Sequence, residues 1–204
     1  VTVNNTKLSQ FNFPKIDNLE IVGLDETESK KLYENIKSIK KKNIFSLNEI
    51  KISNIVYSNK TIQGFTIFKK YPSKLKIEIE KAKLLAITKK DNLNFFIGSN
   101  GNLIQVNNSQ INLPFVFGDI NLVEFFKFKK IIDDSNLSFN EIKNLYYFKS
   151  KRWDIETKDG LIIKLPLKGI NTSLHLLSKI SNKEEFKNIK LIDFRQNNQV
   201  IINE

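Results

Sequence analysis

The sequence predicts an α+β protein, with a β-α-α-β-β unit followed by a mostly antiparallel β unit that contains two short helices. Two observations lead to this fold class. In residues 16–83 the apolar positions recur first at helical spacing and then at every second residue. In residues 84–204 short alternating runs are separated by polar turns, which include Asn-Gly and Asp-Gly pairs typical of β-hairpins.

The first unit begins with a short strand in the segment IDNLEIVGL, which ends at Gly23. An amphipathic helix is predicted next, because acidic residues occupy its first turn and apolar residues recur at helical spacing. Those apolar residues are Leu32, Ile36 and Ile39.

A second helix is predicted from the segment NIFSLNEIKISNIVYSN. Ser46 and Glu49 fit a capping box, in which the two side chains satisfy free backbone N–H groups at a helix start. We expect one face of this helix to carry Ile50, Ile52 or Ser53, and Val56.

Two alternating runs then surround Tyr71-Pro72-Ser73, where proline favours a turn. In the second run the apolar residues Leu75, Ile77 and Ile79 alternate with lysine and glutamate, the pattern of a half-buried strand. The simplest packing places both helices on one face of a three-stranded sheet.

The second unit is predicted to be mostly β, with hairpin turns at Asn100-Gly101 and Asp159-Gly160. INLPFVFG is a loop or a short strand, and NTSLHLLSKIS is a short amphipathic helix. NLVEFFKFKKIIDD is the other predicted helix, with Val123, Phe126 and Ile131 among its apolar positions. The chain closes with a hairpin in which residues 199–203 form the last strand. No flexible linker separates the two units.

Composition narrows the possible functions. The chain has 204 residues, a net charge of +11, no cysteine and one histidine, so a disulfide framework is excluded and the common zinc sites are not expected. The basic residues are almost all lysine and are scattered over both halves, and Asn, Ile and Phe are abundant, as an AT-rich genome would encode. We therefore favour a solvated surface over a nucleic-acid footprint. Methionine is absent even at position 1, which predicts a preceding native segment that could hold a signal or an anchor.

Candidate catalytic groups are sparse. His175 lies among apolar residues, and the acidic pairs Asp133-Asp134 and Glu184-Glu185 fall at predicted helix ends. The segment from Gly98 to Gly101 lacks the Gly-Lys-Ser/Thr of a phosphate loop and is better explained as a β-turn. We expect no cofactor, no metal site and no enzymatic activity.

The two arginines stand out in a chain that otherwise uses lysine. Arg152 lies beside the only tryptophan, Trp153, and Arg195 lies just before the last turn. Arginine binds a carboxylate through two parallel hydrogen bonds, which lysine cannot do. The residues alone leave open whether these arginines bind a partner or remain by chance.

The order of motifs resembles the FtsQ/DivIB family of bacterial cell-division proteins. IDNLEIVGL, NIFSLNEI and FTIFKKYPSKLKIEIEKAK are similar to the family's POTRA domain. FIGSNGNLI, LPFVFG, SKRWDIETKDGLIIKL and LIDFR are similar to motifs of its β-domain. The resemblance implies a juxtamembrane leader at 1–15, a POTRA domain at 16–83 and a β-domain at 84–204.

The resemblance also implies a function. Family members are non-catalytic organisers of the divisome, anchored in the cytoplasmic membrane by one N-terminal helix, with these domains on the periplasmic side at the septum. They bind FtsB and FtsL through the β-domain, by strand addition to its last strand, and other divisome components through the POTRA domain. Gln196 stands where some relatives carry an aromatic residue. The expected partner-binding residues are Lys151, Arg152, Trp153, Arg195, Gln196, Gln199, Val200, Ile201 and Ile202.

Two alternatives belong to other functional classes. A POTRA module for β-barrel or polypeptide export would carry tandem repeats or a downstream barrel, and the sequence shows neither pattern. A nucleic-acid-binding protein would rest on the net charge alone.

Overall fold

The structure is a computed structural model that describes residues 14–105, 111–181, 189–196 and 199–203. The chain divides after Lys83 into two compact units, here called unit 1 and unit 2.

Unit 1 has the β-α-α-β-β order that the sequence predicts. Its strands form a sheet in the order β1-β3-β2, in which β1 is parallel and β2 antiparallel to β3. Short 3-10 turns connect the two helices. The elements are β1 (Asn18–Val22), α1 (Glu26–Ile36), α2 (Glu49–Tyr57), β2 (Ile62–Lys70) and β3 (Lys74–Lys81).

The core of unit 1 lies between the helices and one face of this sheet. Every second residue of β3 is buried there, as the alternating run predicts. The helices contribute the apolar residues that recur at helical spacing. The central members of the core are Leu32, Ile36, Ile52, Val56, Leu75, Ile77 and Ile79.

The predicted capping box of α2 is wrong. Asn48, not Ser46, caps the helix, and its side-chain oxygen accepts a hydrogen bond from the N–H of Lys51 at 2.9 Å. Ser46 lies in a 3-10 turn whose N–H groups are capped by Asn43. The expected apolar face is also wrong at Ile50, which is 75% exposed, because a residue two positions from the buried Ile52 lies on the opposite side of an α-helix.

Unit 2 contains the remaining strands and helices. The strands are β4 (Leu84–Lys90), β5 (Leu93–Gly98), β6 (Leu103–Gln105), β7 (Phe115–Phe117), β8 (Ile142–Tyr147), β9 (Trp153–Thr157), β10 (Ile162–Lys164), β11 (Leu191–Asp193) and β12 (Ile201–Asn203). The helices are α3 (Leu122–Asp133) and α4 (Ile170–Ser181).

The described strands of unit 2 form one sheet in the order β12-β11-β10-β9-β8-β7-β4-β5-β6. The hairpins at Asn100-Gly101 and Asp159-Gly160 are confirmed, since β5 pairs with β6 and β9 with β10 in antiparallel register. The pairs β4–β7, β7–β8 and β10–β11 are parallel. The sheet is therefore mostly antiparallel, as predicted.

Helices α3 and α4 cover one face of this sheet. The buried residues of α3 are Phe125, Phe128 and Ile132, whereas Val123 is 59% exposed. The helices pack on the inward residues of the strands, such as Ile155 and Ile163. The opposite side of the sheet is called the outer face below.

Candidate partner-binding edge

Strand β12 lies at one end of the unit 2 sheet, and β11 is the strand with which it pairs in the described chain. The strand spans Ile201–Asn203 and is shorter than the predicted segment 199–203. Gln199 and Val200 lie in the turn before it, where the N–H of Gln199 donates to the carbonyl of Gln196 at 3.5 Å. An edge strand leaves one row of backbone groups without a neighbouring strand.

The hydrogen-bond pattern identifies the backbone groups that face outward. Phe194 donates its N–H to the carbonyl of Lys164, on the β10 side, at 2.9 Å. Successive residues of a strand direct their backbone groups to opposite sides. The N–H and C=O of Asp193 therefore point toward β12, where its register partner is Ile201. The N–H and C=O of Ile202 therefore point away from the sheet.

A row of charged side chains crosses the outer face beside this edge. Lys164 of β10 is in register with Asp154 of β9 on one side and with Asp193 of β11 on the other. Register partners on adjacent strands share a face of the sheet. Ile201 of β12 pairs with Asp193, so the row leads directly to the edge strand. Both aspartates are only 6% exposed.

Arg195 binds Asp193 within its own chain segment. Its Nε donates to both carboxylate oxygens, at 2.8 and 2.9 Å, and its Nη2 also contacts the carboxylate. The backbone N–H of Arg195 donates to the same carboxylate at 2.9 Å. The hydrogen bonds from Arg195 hold the pKa of Asp193 below its ordinary value, so this carboxylate stays charged although it is buried.

Arg152 makes a single, longer contact of the same kind with Asp154 of β9. Its Nε donates to Asp154 at 3.3 Å, and its guanidinium lies over the Phe148 ring, 4.4 Å from the ring centroid. Lys151 is exposed in the turn between β8 and β9 and has a positive φ of 64°. The five side chains Arg152, Asp154, Lys164, Asp193 and Arg195 are called the charged row below.

Trp153 does not lie on this surface. It is 3% exposed and stacks on Phe128 of α3, with ring centroids 4.4 Å apart and an interplanar angle of 1°. Because successive residues of β9 point to opposite faces, Trp153 enters the core while Arg152 and Asp154 face outward. Its side chain therefore belongs to the core of unit 2 and is not exposed beside the edge strand.

The remaining predicted partner-binding residues surround the edge strand. Gln196 and Gln199 are exposed, and Ile201 is 49% exposed. Val200 is half-buried against the unit 2 core, and Ile202 is also half-buried. Of these side chains, Ile201 offers the largest apolar contact next to the charged row.

A second polar cluster lies on the outer face at Glu156. Its carboxylate accepts hydrogen bonds from Lys143, Asn144 and Tyr146, at 2.8, 2.9 and 2.7 Å. These three bonds, that from Asn144 foremost, lower the pKa of Glu156 from 4.5 to about 2. The side chain is 18% exposed. The cluster joins β8 to β9 and lies two residues along β9 from Asp154 of the charged row.

Replacing Glu156 with glutamine is expected to reduce the free energy of unfolding by about 1–2 kcal/mol near neutral pH. The pKa in the folded state lies below the ordinary value, so the contribution is complete above about pH 4.5 and is lost as the pH falls toward 2. The difference in stability between wild type and variant should therefore shrink across this interval. Urea denaturation at several pH values measures it, with the exposed Glu141→Gln as the matched control. A difference that stays constant with pH would contradict the assignment.

Three members of the charged row are missed by inspection of the sequence: Asp154, Lys164 and Asp193. A signal for the aspartates exists, because each arginine lies two residues from an aspartate, in Arg-Trp-Asp and in Asp-Phe-Arg. On a strand this spacing places both side chains on one face. Lys164 has no such local signal, since only the strand register brings it between the aspartates.

Other candidate groups do not form a site in the described chain. His175 is exposed on α4, and Asp133 pairs with Lys129 of its own helix at 2.6 Å. Glu184 and Glu185 lie outside the described residues. Over the described ranges, no group of three His, Asp or Glu side chains is placed to hold a metal ion. The described helices also include none with the length and apolar character needed to cross a bilayer.

Comparison with known proteins identifies the family of this chain. The family model described as "Cell division protein FtsQ/DivIB, C-terminal" matches residues 86–195, which is more than half of the chain. The chain belongs to the FtsQ/DivIB family. Members of this family are cell-division membrane proteins. The resemblance inferred from the motif order is thereby confirmed.

Curated FtsQ proteins align with most of the chain. "Cell division protein FtsQ" of Rickettsia bellii is 25% identical over 191 residues, which cover 92% of this chain and 72% of that protein. FtsQ of Rickettsia prowazekii is 24% identical with the same coverage. FtsQ of Bradyrhizobium diazoefficiens is 24% identical over 71% of this chain and 44% of its own length.

A solved structure of a DivIB protein also aligns with the chain. It is the major extracytoplasmic domain of the trans isomer of DivIB from Geobacillus stearothermophilus. The alignment has 11% identity and a TM-score of 0.38 over 53% of this chain and 98% of that one.

Proposed function

We propose that this FtsQ/DivIB family member is a non-catalytic scaffold of the divisome that binds FtsB and FtsL at the septum. The binding mode is strand addition, in which a strand of FtsB pairs with the outward edge of β12. The single observation that carries this proposal is the position of β12 at the end of the sheet, with the backbone groups of Ile202 directed outward.

The charged row supports the choice of this edge. Arg195 uses Nε and Nη2 for Asp193, whereas no described residue accepts a hydrogen bond from its Nη1. A guanidinium has five N–H donors, so Arg195 can donate to Asp193 and to a partner carboxylate at the same time. Asp193 holds the arginine in one orientation beside the edge and reduces the entropy lost on binding.

The two units correspond, in this proposal, to the domains of the family. We assign residues 16–83 to the POTRA domain, 84–204 to the β-domain and 1–15 to a juxtamembrane leader. The POTRA domain serves other divisome components. A single N-terminal helix preceding this region anchors the protein in the cytoplasmic membrane, with both domains on the periplasmic side.

Replacing Arg195 with alanine is expected to weaken binding of an FtsB fragment about tenfold, or about 1.4 kcal/mol. The substitution removes a donor to the partner and leaves the buried Asp193 carboxylate without its arginine. Isothermal titration calorimetry measures the affinity. Arg195→Lys should recover only part of it, because lysine cannot make the paired contact.

The matched controls are Lys30→Ala and Lys31→Ala, which remove a positive charge from α1 of unit 1. Each should leave the affinity for the FtsB fragment unchanged within error. Equal losses in Arg195→Ala and in these controls would show that only the net charge matters, and would refute a role for Arg195 at the edge.

A further inference from the structure

Three segments meet at one end of unit 1. Where the chain enters the unit, Ile16 donates its N–H to the carbonyl of Lys42 at 3.0 Å, and Asp17 donates to the carbonyl of Ser73 at 3.0 Å. The chain before β1, the loop before α2 and the turn between β2 and β3 are therefore adjacent. Five exposed lysines and two exposed aromatic residues lie on these segments and are called the basic tip: Lys15, Lys41, Lys42, Lys70, Lys74, Phe45 and Tyr71.

The lysines of the basic tip lack internal compensation. Among the described residues, none of the five lies within ion-pair distance of a carboxylate. Two acidic residues lie at this end: Asp17 is exposed, and Glu49 is paired with Lys69 at 2.5 Å. Residues 1–13 add one lysine and no acid to the sequence. The tip therefore has a net positive charge that no described carboxylate neutralises through an ion pair.

The turn between β2 and β3 shows that this charge is costly. Lys70 and Lys74 are directly opposite each other in the antiparallel register of the two strands. Like charges at such positions destabilise a hairpin. An anionic surface brought against this turn would offset the repulsion between the two lysines. Relief of that repulsion would then favour binding.

The aromatic residues of the tip are placed for the same surface. Phe45 and Tyr71 are 60% and 61% exposed, and their rings stack with centroids 5.1 Å apart. Exposed aromatic rings beside lysines are typical of proteins that rest at the interface between lipid headgroups and water. Phe45 has no polar group, so its exposure is unfavourable in water and favourable at such an interface.

We propose that the basic tip docks on the surface of a bilayer that contains anionic phospholipids. Two observations favour a lipid surface over other polyanions. The protein belongs to a family of membrane proteins, and the exposed aromatic pair lies among the lysines. A third argument rests on the proposed function, in which a membrane helix precedes the segment that enters unit 1 at this tip. Docking would hold unit 1 against the membrane independently of any protein that β12 binds.

The test measures partition of the 204-residue chain into sedimented vesicles at about 150 mM salt. One vesicle is phosphatidylcholine with about 30% phosphatidylglycerol, and the other is phosphatidylcholine alone. The tip variant replaces Lys15, Lys42, Lys70 and Lys74 with glutamine. A control variant replaces the exposed Lys30, Lys31, Lys89 and Lys90 with glutamine and removes the same charge.

Wild type and the control variant should partition into the anionic vesicles, and the tip variant should partition about a hundredfold less. Phe45→Ser with Tyr71→Ser should lower the partition about tenfold while its salt dependence persists. Equal loss in the tip and control variants would overturn the proposal, as would equal partition of wild type into both vesicles. Circular dichroism melts identify any loss caused by unfolding.

Nucleic acid is the competing polyanion, and a gel-shift assay with a single-stranded oligonucleotide at the same salt concentration distinguishes it. Wild type should show no retained oligonucleotide. Retention that the tip variant abolishes, together with no partition into anionic vesicles, would assign the tip to nucleic acid and overturn the proposal.

Discussion

Replacing Trp153 with alanine is expected to lower the free energy of unfolding of unit 2 by about 3–5 kcal/mol. The indole is 3% exposed and lies between two aromatic rings, stacked on Phe128 at 4.4 Å and tilted against Tyr147 at 4.7 Å. Truncation would leave a cavity between β9 and α3 that the rigid sheet cannot close. Urea denaturation followed by circular dichroism measures the loss.

The matched control for Trp153→Ala is Lys151→Asn. Lys151 is exposed and has a φ of 64°, a conformation that asparagine tolerates, so the variant removes the charge without backbone strain. It should change the stability by less than about 0.5 kcal/mol. If Trp153→Ala weakened FtsB binding and left stability unchanged, the placement of the indole in the core would be wrong.

Replacing Ile202 with proline is expected to weaken binding of an FtsB fragment on the order of a hundredfold. Proline removes the outward N–H and places its ring where a partner strand would approach. The ladder between β12 and β11 does not use this N–H, so unit 2 should remain folded. Calorimetric titration measures the binding, and a thermal melt checks the fold.

Ile202→Val is the matched control for this substitution. It keeps the N–H and a β-branched side chain, and it should retain the affinity of wild type. Wild-type binding by Ile202→Pro, in a variant that melts as wild type does, would show that the partner does not pair with β12.

The fold follows closely from the sequence because its signals are periodic. The alternation of Leu75, Ile77 and Ile79 predicts β3, and burial of these residues on one face confirms it. Asn-Gly and Asp-Gly turns predict two hairpins, because few residues other than glycine adopt the positive φ found at Gly101 and Gly160. Such signals depend on local backbone geometry, which tertiary contacts seldom reverse.

The start of α2 shows where local signals compete. Ser46 and Asn48 are both good capping residues, and the sequence does not say which one the helix uses. In the structure Asn43 caps a separate 3-10 turn at Ile44–Ser46, and α2 begins after it, at Glu49, with Asn48 as its cap.

The charged row shows a second limit. The rarity of arginine singles out Arg152 and Arg195, but rarity does not indicate which groups pair with them. Strand periodicity supplies the missing step, since residues two apart share a face. It also explains why the side chain of Trp153 lies on the opposite face of the sheet from that of Arg152. That Lys164 lies between the two aspartates depends on the register between strands and has no local signal.

The central claim is that a partner strand pairs with the outer edge of β12, and backbone amide hydrogen exchange at Ile202 tests it most directly. In the protein alone this N–H points away from the sheet and should exchange rapidly, whereas a saturating FtsB fragment should protect it strongly. Exchange at β6, the strand at the other end of the described sheet, should not change. Rapid exchange at Ile202 in the saturated complex would contradict the account.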